Sequence, residues 1–256
     1  FFVTVCLFKN EVQVCRDEFI MDEGGQGLTI IMPARDEEAH LREAAEIVLD
    51  AGARYFTNLE ILIIDDGSID QTGAIAEKLA AEDSRVTVIH NTIAKGLGGV
   101  IRQSLGLARN SYFMYVDGKG ATTADALDKI LLHIGKADLV IPYLTNSRER
   151  PLVRRLISWL FQQILNLFFG LRLKYYNHLV VYPTALLRSI AIKTDSYGFQ
   201  AECVIKLLKK GASFVEVGVE DRFDLEGRKT KAFQIRNILG VAEFFFQTFW
   251  DIHIKR

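Results

Sequence analysis

Cysteine is scarce in this sequence: three residues, Cys6, Cys15 and Cys203, are spread over 256 positions. That number excludes a disulfide framework. The absence of any C-x-x-C pair removes the usual zinc signature, so the expected compartment is reducing. Charge of one sign is lacking as well, because 31 basic and 32 acidic side chains leave a formal −1. Without a global basic field, nucleic acid is excluded as an expected partner. No uninterrupted apolar run reaches the roughly 18 residues of a membrane-crossing helix. The opening FFVTVCLF is too short to span a bilayer. Signal peptide, low-complexity linker and internal repeat are missing too. An initial Met is lacking, as in a processed or trimmed product. The histidines are scattered, and His90, His133 and His178 share no metal-ligand spacing, which leaves them structural roles.

What is present is a core. With 49% apolar and 25% charged residues, the chain suits one α/β domain, or one domain with an appendage. LTIIM (28–32), EILII (60–64), VTVIH (86–90), YFMYV (112–116) and DLVIP (138–142) read as short buried strands. Between them DEEAHLREAAEIVLDAG, closed by Gly52, then DQTGAIAEKLAAED, LGGVIRQSLGLARN and TTADALDKILLHIG read as helices. This alternation means βαβ units and a mostly parallel sheet. In such sheets ligands sit at the carboxyl ends of the strands. Those ends carry PARDEE (33–38), DDGSID (65–70) and DGKG (117–120). Three acidic loops on one rim repel one another unless something cationic binds, and a metal–nucleotide diphosphate is the natural candidate.

After residue 150 the pattern changes. RRLISWLFQQILNLFFGLRL (154–173) is a long apolar helix, SYGFQAECVIKLLKKG (196–211) a helix ending at Gly211, and ASFVEVGVED (212–221) a strand. KAFQIRNILGVAEFFFQTFWDIHIKR closes the chain as an amphipathic helix. Residues 1–27 form a separate extension, with VTVCLF and EVQVC suited to a small hairpin around Lys9-Asn10 and no assigned role.

ILIIDDGSIDQTG is the strongest motif. Ser68 with Gln71 three residues later makes a capping box, and Asp70 suits a first helical turn. Capping does not explain two adjacent carboxylates, Asp65 and Asp66, at a strand end. A nucleotide contact does. AKGLGGV (94–100) is not a dinucleotide loop, because Ile101 stands where the closing Gly or Ala belongs and the loop follows the third strand.

Taken together, PARDEE, IDDGSIDQT, NTIAKGLGGVIRQSLGLA and the strand ending at Asp117 resemble the ordered motifs of family 2 glycosyltransferases with the GT-A fold. FGLRLKYYNHLVVYPTALL and FQAECVIKLLKKGASFVEVGVEDRFDLEGRKTKA are similar to the dolichyl/polyprenyl-phosphate mannosyl- and glucosyltransferase branch. The resemblance covers about residues 28–250. It implies a GT-A-like α/β domain over 28–256, a mostly parallel sheet flanked by helices, with amphipathic C-terminal helices. Its nucleotide-binding half would be about 28–145 and its acceptor or membrane-facing half about 146–256. It further implies that Pro33, Ala34, Arg35, Glu37, Asp65, Asp66, Lys95 and Arg102 serve the nucleotide. Asp117, Lys119 and Arg222 are the implied catalytic set, with Asp117 on the metal, Mg²⁺ or Mn²⁺. Arg148, Arg155, Lys229 and Lys231 are the implied phosphate or acceptor cations.

The sequence departs from the family pattern in three places. Gly218 replaces a proline, His178 stands where glycine is frequent, and Lys119 replaces the second carboxylate of D-x-D. Lys119 leaves four readings open. Asp117, the diphosphate and water still hold a metal; the Lys119 ammonium replaces the metal's charge; the site binds without transferring; or Lys119 faces water.

The 154–173 helix is either a core helix or a membrane-surface helix, and the final helix carries the same two readings. The expected function is inverting transfer of a sugar from a GDP- or UDP-sugar to a polyprenyl phosphate. The expected place is the cytoplasmic face of a membrane, with a membrane-protein partner or a homo-oligomer as further expectations. The rivals are a non-lipid acceptor and a non-catalytic nucleotide-sugar-binding protein.

Overall fold

The computed structural model describes residues 26–196, 198–223 and 235–254. The hairpin expected around Lys9-Asn10 lies outside these residues, as do Lys229 and Lys231. Among the described residues seven strands form one sheet: β1 (Leu28–Ala34), β2 (Leu59–Asp65), β3 (Val86–His90), β4 (Tyr112–Tyr115), β5 (Leu139–Leu144), β6 (Val181–Pro183) and β7 (Phe214–Val219). Their spatial order is β3-β2-β1-β4-β6-β5-β7. Neighbours are parallel except β6, which is antiparallel to both β4 and β5. The described helices are α1 (Leu41–Tyr55), α2 (Thr72–Glu82), α3 (Gly96–Leu107), α4 (Ala124–Leu131), α5 (Leu152–Phe169), α6 (Thr184–Arg188), α7 (Phe199–Lys209) and α8 (Ile235–His253).

Helices on both faces explain why the central strands read as unbroken apolar runs. Leu28, Ile30 and Met32 of β1 share one core with Val48 of α1 and Leu127 and Ile130 of α4. Ile31 belongs to the other core, with Val100 and Ile101 of α3, Phe169 of α5 and Val204 of α7. Each such side chain contributes about 1.5–3 kcal/mol on full burial. The register pairs Ala34 with Asp65 and Asp65 with His90, so the ends of β1, β2 and β3 lie level on one rim.

Several boundaries differ from expectation. α1 starts at Leu41 rather than at Asp36, because the acidic residues before it bond to another loop. Gly52 does not close α1; it lies inside the helix, where a Cβ would come within 2.8 Å of Leu59 Cδ2. The glycine admits the first side chain of β2. α5 ends at Phe169, where Gly170 turns left-handed at φ 58°. β6 and α6 lie in a segment with no strand or helix expectation.

The core reading of α5 is corrected. Only Leu165 and Phe169 are buried on it, whereas Leu152, Val153, Leu156, Trp159 and Leu167 are each more than half exposed. α8 lies beside it, with Phe168 against Phe245 at 5.1 Å between ring centroids, and it exposes Phe246 and Trp250. Among the described residues no helix is long and apolar enough to cross a membrane. A buried network seats α8 on α7: Lys206 Nζ lies 2.6 Å from Glu202 Oε1 and 3.1 Å from Asp251 Oδ2. Glu202 also accepts the Lys193 and Thr194 N–H groups.

Candidate active site

The three acidic loops do meet on one rim, and two of them are laced together. The Asp36 N–H donates to Ser68 Oγ at 3.1 Å, and the Ile69 N–H returns to Asp36 Oδ1 at 3.0 Å. The Glu37 N–H donates to Thr72 Oγ1 at 2.8 Å, and the Gln71 N–H to Glu38 Oε2 at 3.0 Å. Asp70 Oδ1 accepts the Thr72 N–H at 2.9 Å. Asp36 adopts φ 56° to do this, a conformation uncommon outside glycine. The capping box expected from Ser68 and Gln71 is therefore not formed. Carboxylates of the neighbouring loop take the Ile69 and Gln71 N–H groups just before α2, Asp70 takes that of Thr72, and all lie at the positive end of the helix.

Asp65 and Asp66 are both buried, and their mutual repulsion is met by donors. Asp65 accepts the Ser68 N–H at 3.0 Å and faces His90 Nδ1 at 2.8 Å. The other imidazole nitrogen, Nε2, lies 2.8 Å from Glu77 Oε1. Burial pushes the Asp65 carboxyl up, but hydrogen bonds from Ser68 and His90 outweigh it and hold it below the usual carboxylate range. The same bonds to Asp65 and Glu77 raise His90 above the ordinary imidazole value. Asp66 Oδ1 accepts the Lys95 N–H at 2.8 Å and Asn91 Nδ2 at 3.0 Å, and Oδ2 accepts the Gly96 N–H at 3.0 Å. Asp66 thus fixes the loop that starts α3.

Beyond that loop, Lys95 Nζ bonds Gln103 at 2.8 Å. Arg102 bonds the Thr194 carbonyl at 3.1 Å and the Asp195 carboxylate. Gly98 permits this closeness, since a Cβ there would overlap the Thr194 carbonyl oxygen. Of the PARDEE residues, Ala34 is buried and gives its carbonyl to the Asp66 N–H at 2.9 Å. Pro33 and Glu37 are half-buried, and Arg35 is exposed on the rim.

The loop after β4 is different. Asp117 Oδ1 is buried and finds no hydrogen-bond partner among the described residues, a costly state for a carboxylate oxygen. Gly118 bonds back to Pro33 O at 3.4 Å, and Gly120 takes φ 69°. Lys119 is half-buried between them. Among the described residues no group of three His, Cys, Asp or Glu is placed to hold a metal ion. One orphaned carboxylate fits a hard cation only when phosphate oxygens and water complete its shell, and Lys119 opposes that cation by charge. Arg222 is brought beside this loop, its N–H donating to Ala121 O at 2.9 Å, while its guanidinium reaches Glu43 of α1 at 2.8 Å.

A cavity of about 530 Å³ opens where β5 ends and α5 begins. Arg150, Arg155 and Lys174 bring charge to it, and Leu152, Trp159 and Tyr175 bring apolar surface. Arg155, one of the implied phosphate or acceptor cations, lines it. Arg148 is exposed and does not line it. Arg150 and Lys174 escaped the sequence reading, because Arg150 is two positions from Arg148 with nothing to rank them and Lys174 lies far along the chain. Arg150 donates to Tyr175 Oη at 3.1 Å and lies over the Phe223 ring at 5.0 Å. The cavity shares the rim with Asp117, because β4 and β5 run the same way on either side of β6.

A model of the family described as glycosyl transferase family 2 matches residues 29–193. Undecaprenyl-phosphate mannosyltransferase of Micrococcus luteus is 32% identical over 175 residues, covering 62% of this chain and 70% of that protein. Polyprenol monophosphomannose synthase of Mycolicibacterium smegmatis is 33% identical over 121 residues, 45% of this chain and 44% of that one. Glycosyltransferase AglD of Haloferax volcanii is 22% identical over 90% of this chain, which spans only 38% of AglD. Among solved structures, glucosyl-3-phosphoglycerate synthase from Mycobacterium tuberculosis, in complex with Mn²⁺, UDP-Glc and phosphoglyceric acid, has a TM-score of 0.71. It is 14% identical, over 91% of this chain and 83% of that one. That likeness shows a shared fold.

Proposed function

Because the chain belongs to glycosyl transferase family 2, we propose that it transfers a sugar, with inversion, from a GDP- or UDP-sugar to a polyprenyl phosphate at a membrane surface. The observation that carries the lipid acceptor is the cavity beside α5. It pairs Arg150, Arg155 and Lys174 with Leu152 and Trp159, on a helix whose apolar side chains face out. A phosphate with a hydrocarbon tail has that same division of charge and apolar surface. The named activities of the undecaprenyl-phosphate and polyprenol relatives agree with it.

In this reading residues of about 28–145 hold the nucleotide and those of about 146–256 face the acceptor and the bilayer, at the cytoplasmic face. Arg35, Glu37 and the Asp66-fixed loop with Lys95 and Arg102 border the nucleotide. The acceptor phosphate oxygen attacks the anomeric carbon opposite the diphosphate. A new oxygen–carbon bond forms as the bond to the diphosphate oxygen breaks, and the nucleoside diphosphate leaves with the electron pair. The attacking oxygen is already anionic, so the main demands are in-line alignment and charge stabilisation of the leaving group. Lys119 supplies an ammonium for that charge, and Arg222 lies beside the same loop. Asp117 would be the residue that holds a divalent ion, which would supply Lewis-acid charge to the diphosphate. With Lys119 present, dependence on it is weakened.

Lys119 also favours a second reading, nucleotide-sugar binding without turnover. The test is transfer of labelled sugar from GDP- and UDP-sugars to a polyprenyl phosphate, with Mg²⁺, Mn²⁺ or chelator, by the native chain and by Lys119→Asp. Native turnover supports the proposal. Turnover by Lys119→Asp alone supports the binding-only reading. Silence from both with nucleotide binding intact overturns the lipid acceptor.

A further inference from the structure

His178 is among the most enclosed polar side chains of the rim, with 5% of its side chain exposed. Its Nδ1 accepts the Leu179 N–H at 2.8 Å, so the neutral ring carries its proton on Nε2. That nitrogen faces Asp221 Oδ1 at 3.3 Å. Neither atom makes an aligned hydrogen bond among the described residues, and both are buried. Burying two such groups costs stability.

Asp221 is held from both sides by its backbone. Its carbonyl accepts Asn146 Nδ2 at 2.9 Å, and its N–H points to Asn146 Oδ1 at 3.4 Å, at the end of β5. On the other side Asp221 bridges Thr122, and Arg222 bonds the Ala121 carbonyl. Ala121 and Thr122 continue directly from Asp117 and Lys119. His178 reaches the cavity in turn: its ring lies 6.3 Å from the Tyr175 ring, and the Tyr175 hydroxyl accepts Arg150. An unbroken path of contacts thus runs from the cationic cavity through His178 and Asp221 to the loop after β4.

We propose that His178 and Asp221 are a positioning pair that registers the Asp117–Thr122 loop against the acceptor cavity. The pair touches neither substrate. It sets where Asp117 and Lys119 stand relative to the acceptor phosphate, and so acts on the transfer step. The inference rests on the glycosyl-transfer reading for its kinetics, but its geometry can be tested without it.

The experiment uses the full chain as His178→Phe, Asp221→Leu, the double variant, and Asp221→Asn, which keeps the side chain's size and an oxygen to face Nε2. Hydrogen exchange of the peptide covering 117–123 is read first, because it needs no acceptor. The expected result is at least about tenfold faster exchange there in His178→Phe and Asp221→Leu. α1 and α2 should be unchanged, and protection should return in Asp221→Asn. Transfer to polyprenyl phosphate should show kcat lowered about tenfold with KM for both substrates within about twofold. The double variant should be no worse than either single one, as expected for a coupled pair. Unchanged exchange at 117–123, or faster exchange throughout the chain, overturns the proposal. So do additive kcat losses. If the native chain transfers nothing to lipid, the lipid reading fails, and the exchange result alone decides for or against the pair.

Discussion

His90 joins the Asp65 carboxylate through Nδ1 and the Glu77 carboxylate through Nε2, each at 2.8 Å. One imidazole thereby ties the end of β2 to α2. Its pKa is raised, so its stabilising contribution is complete below the ordinary imidazole value of about 6.5 and is lost as pH rises through the higher folded value. Asp65 is lowered, so its contribution is present above about 3.9 and is lost as pH falls through its lower folded value. Thermal unfolding of the native chain and His90→Asn should therefore differ most near pH 5, by about 2 °C because the ring is partly exposed. The difference should shrink on the alkaline side. A gap that widens with rising pH would contradict the pairing.

Two glycines of α3 should respond oppositely to alanine. Gly106 has open space around it, and Gly106→Ala should add about 0.5 kcal/mol through helix propensity. At Gly98 the new Cβ meets backbone that cannot yield cheaply. Gly98→Ala should cost about 2 kcal/mol or more. Urea unfolding of both variants checks the pair of signs.

If Lys119 carries part of the diphosphate charge as proposed, chelator should lower native transfer by less than about tenfold. In Lys119→Asp the loop regains a second hard ligand, and chelator should then abolish more than about 90% of whatever activity remains. Equal chelator sensitivity in the two proteins would remove Lys119 from the charge balance.

The exposed apolar faces of α5 and α8 should bind bilayers. Leu167→Ser with Phe246→Ser should weaken partition onto anionic vesicles about tenfold or more. Both side chains are at least 70% exposed, so the melting temperature should move by no more than about 2 °C. Vesicle flotation unaffected by the double substitution would direct attention away from this face.

The βαβ half was legible because each central strand is a short apolar run and each helix has an apolar stripe. The rim positions of Asp65, Asp66 and Asp117 follow from that pattern alone. What could not be read was long-range bonding. Ser68 and Gln71 satisfy a local capping rule, yet the Gln71 N–H goes to Glu38 of a different loop and the Ser68 N–H to Asp65. Asp66 reads as a ligand contact, yet its oxygens are occupied by the loop before α3. β6, at three residues, is too short to show a period. The exposure of α5 is set by which of its neighbours cover it, and composition does not contain that information.

β6 has a consequence for how the chain reaches this shape. It lies between β4 and β5, running against both. Until Val181 arrives, the strands made first and the strands made later have no ladder joining them. A nascent chain ending at Leu144 would carry open edges on β4 and on β5, the condition that invites pairing with other chains. The segments before and after β6 are therefore not separable folding units. A three-residue strand inserted late is the rivet that makes them one sheet.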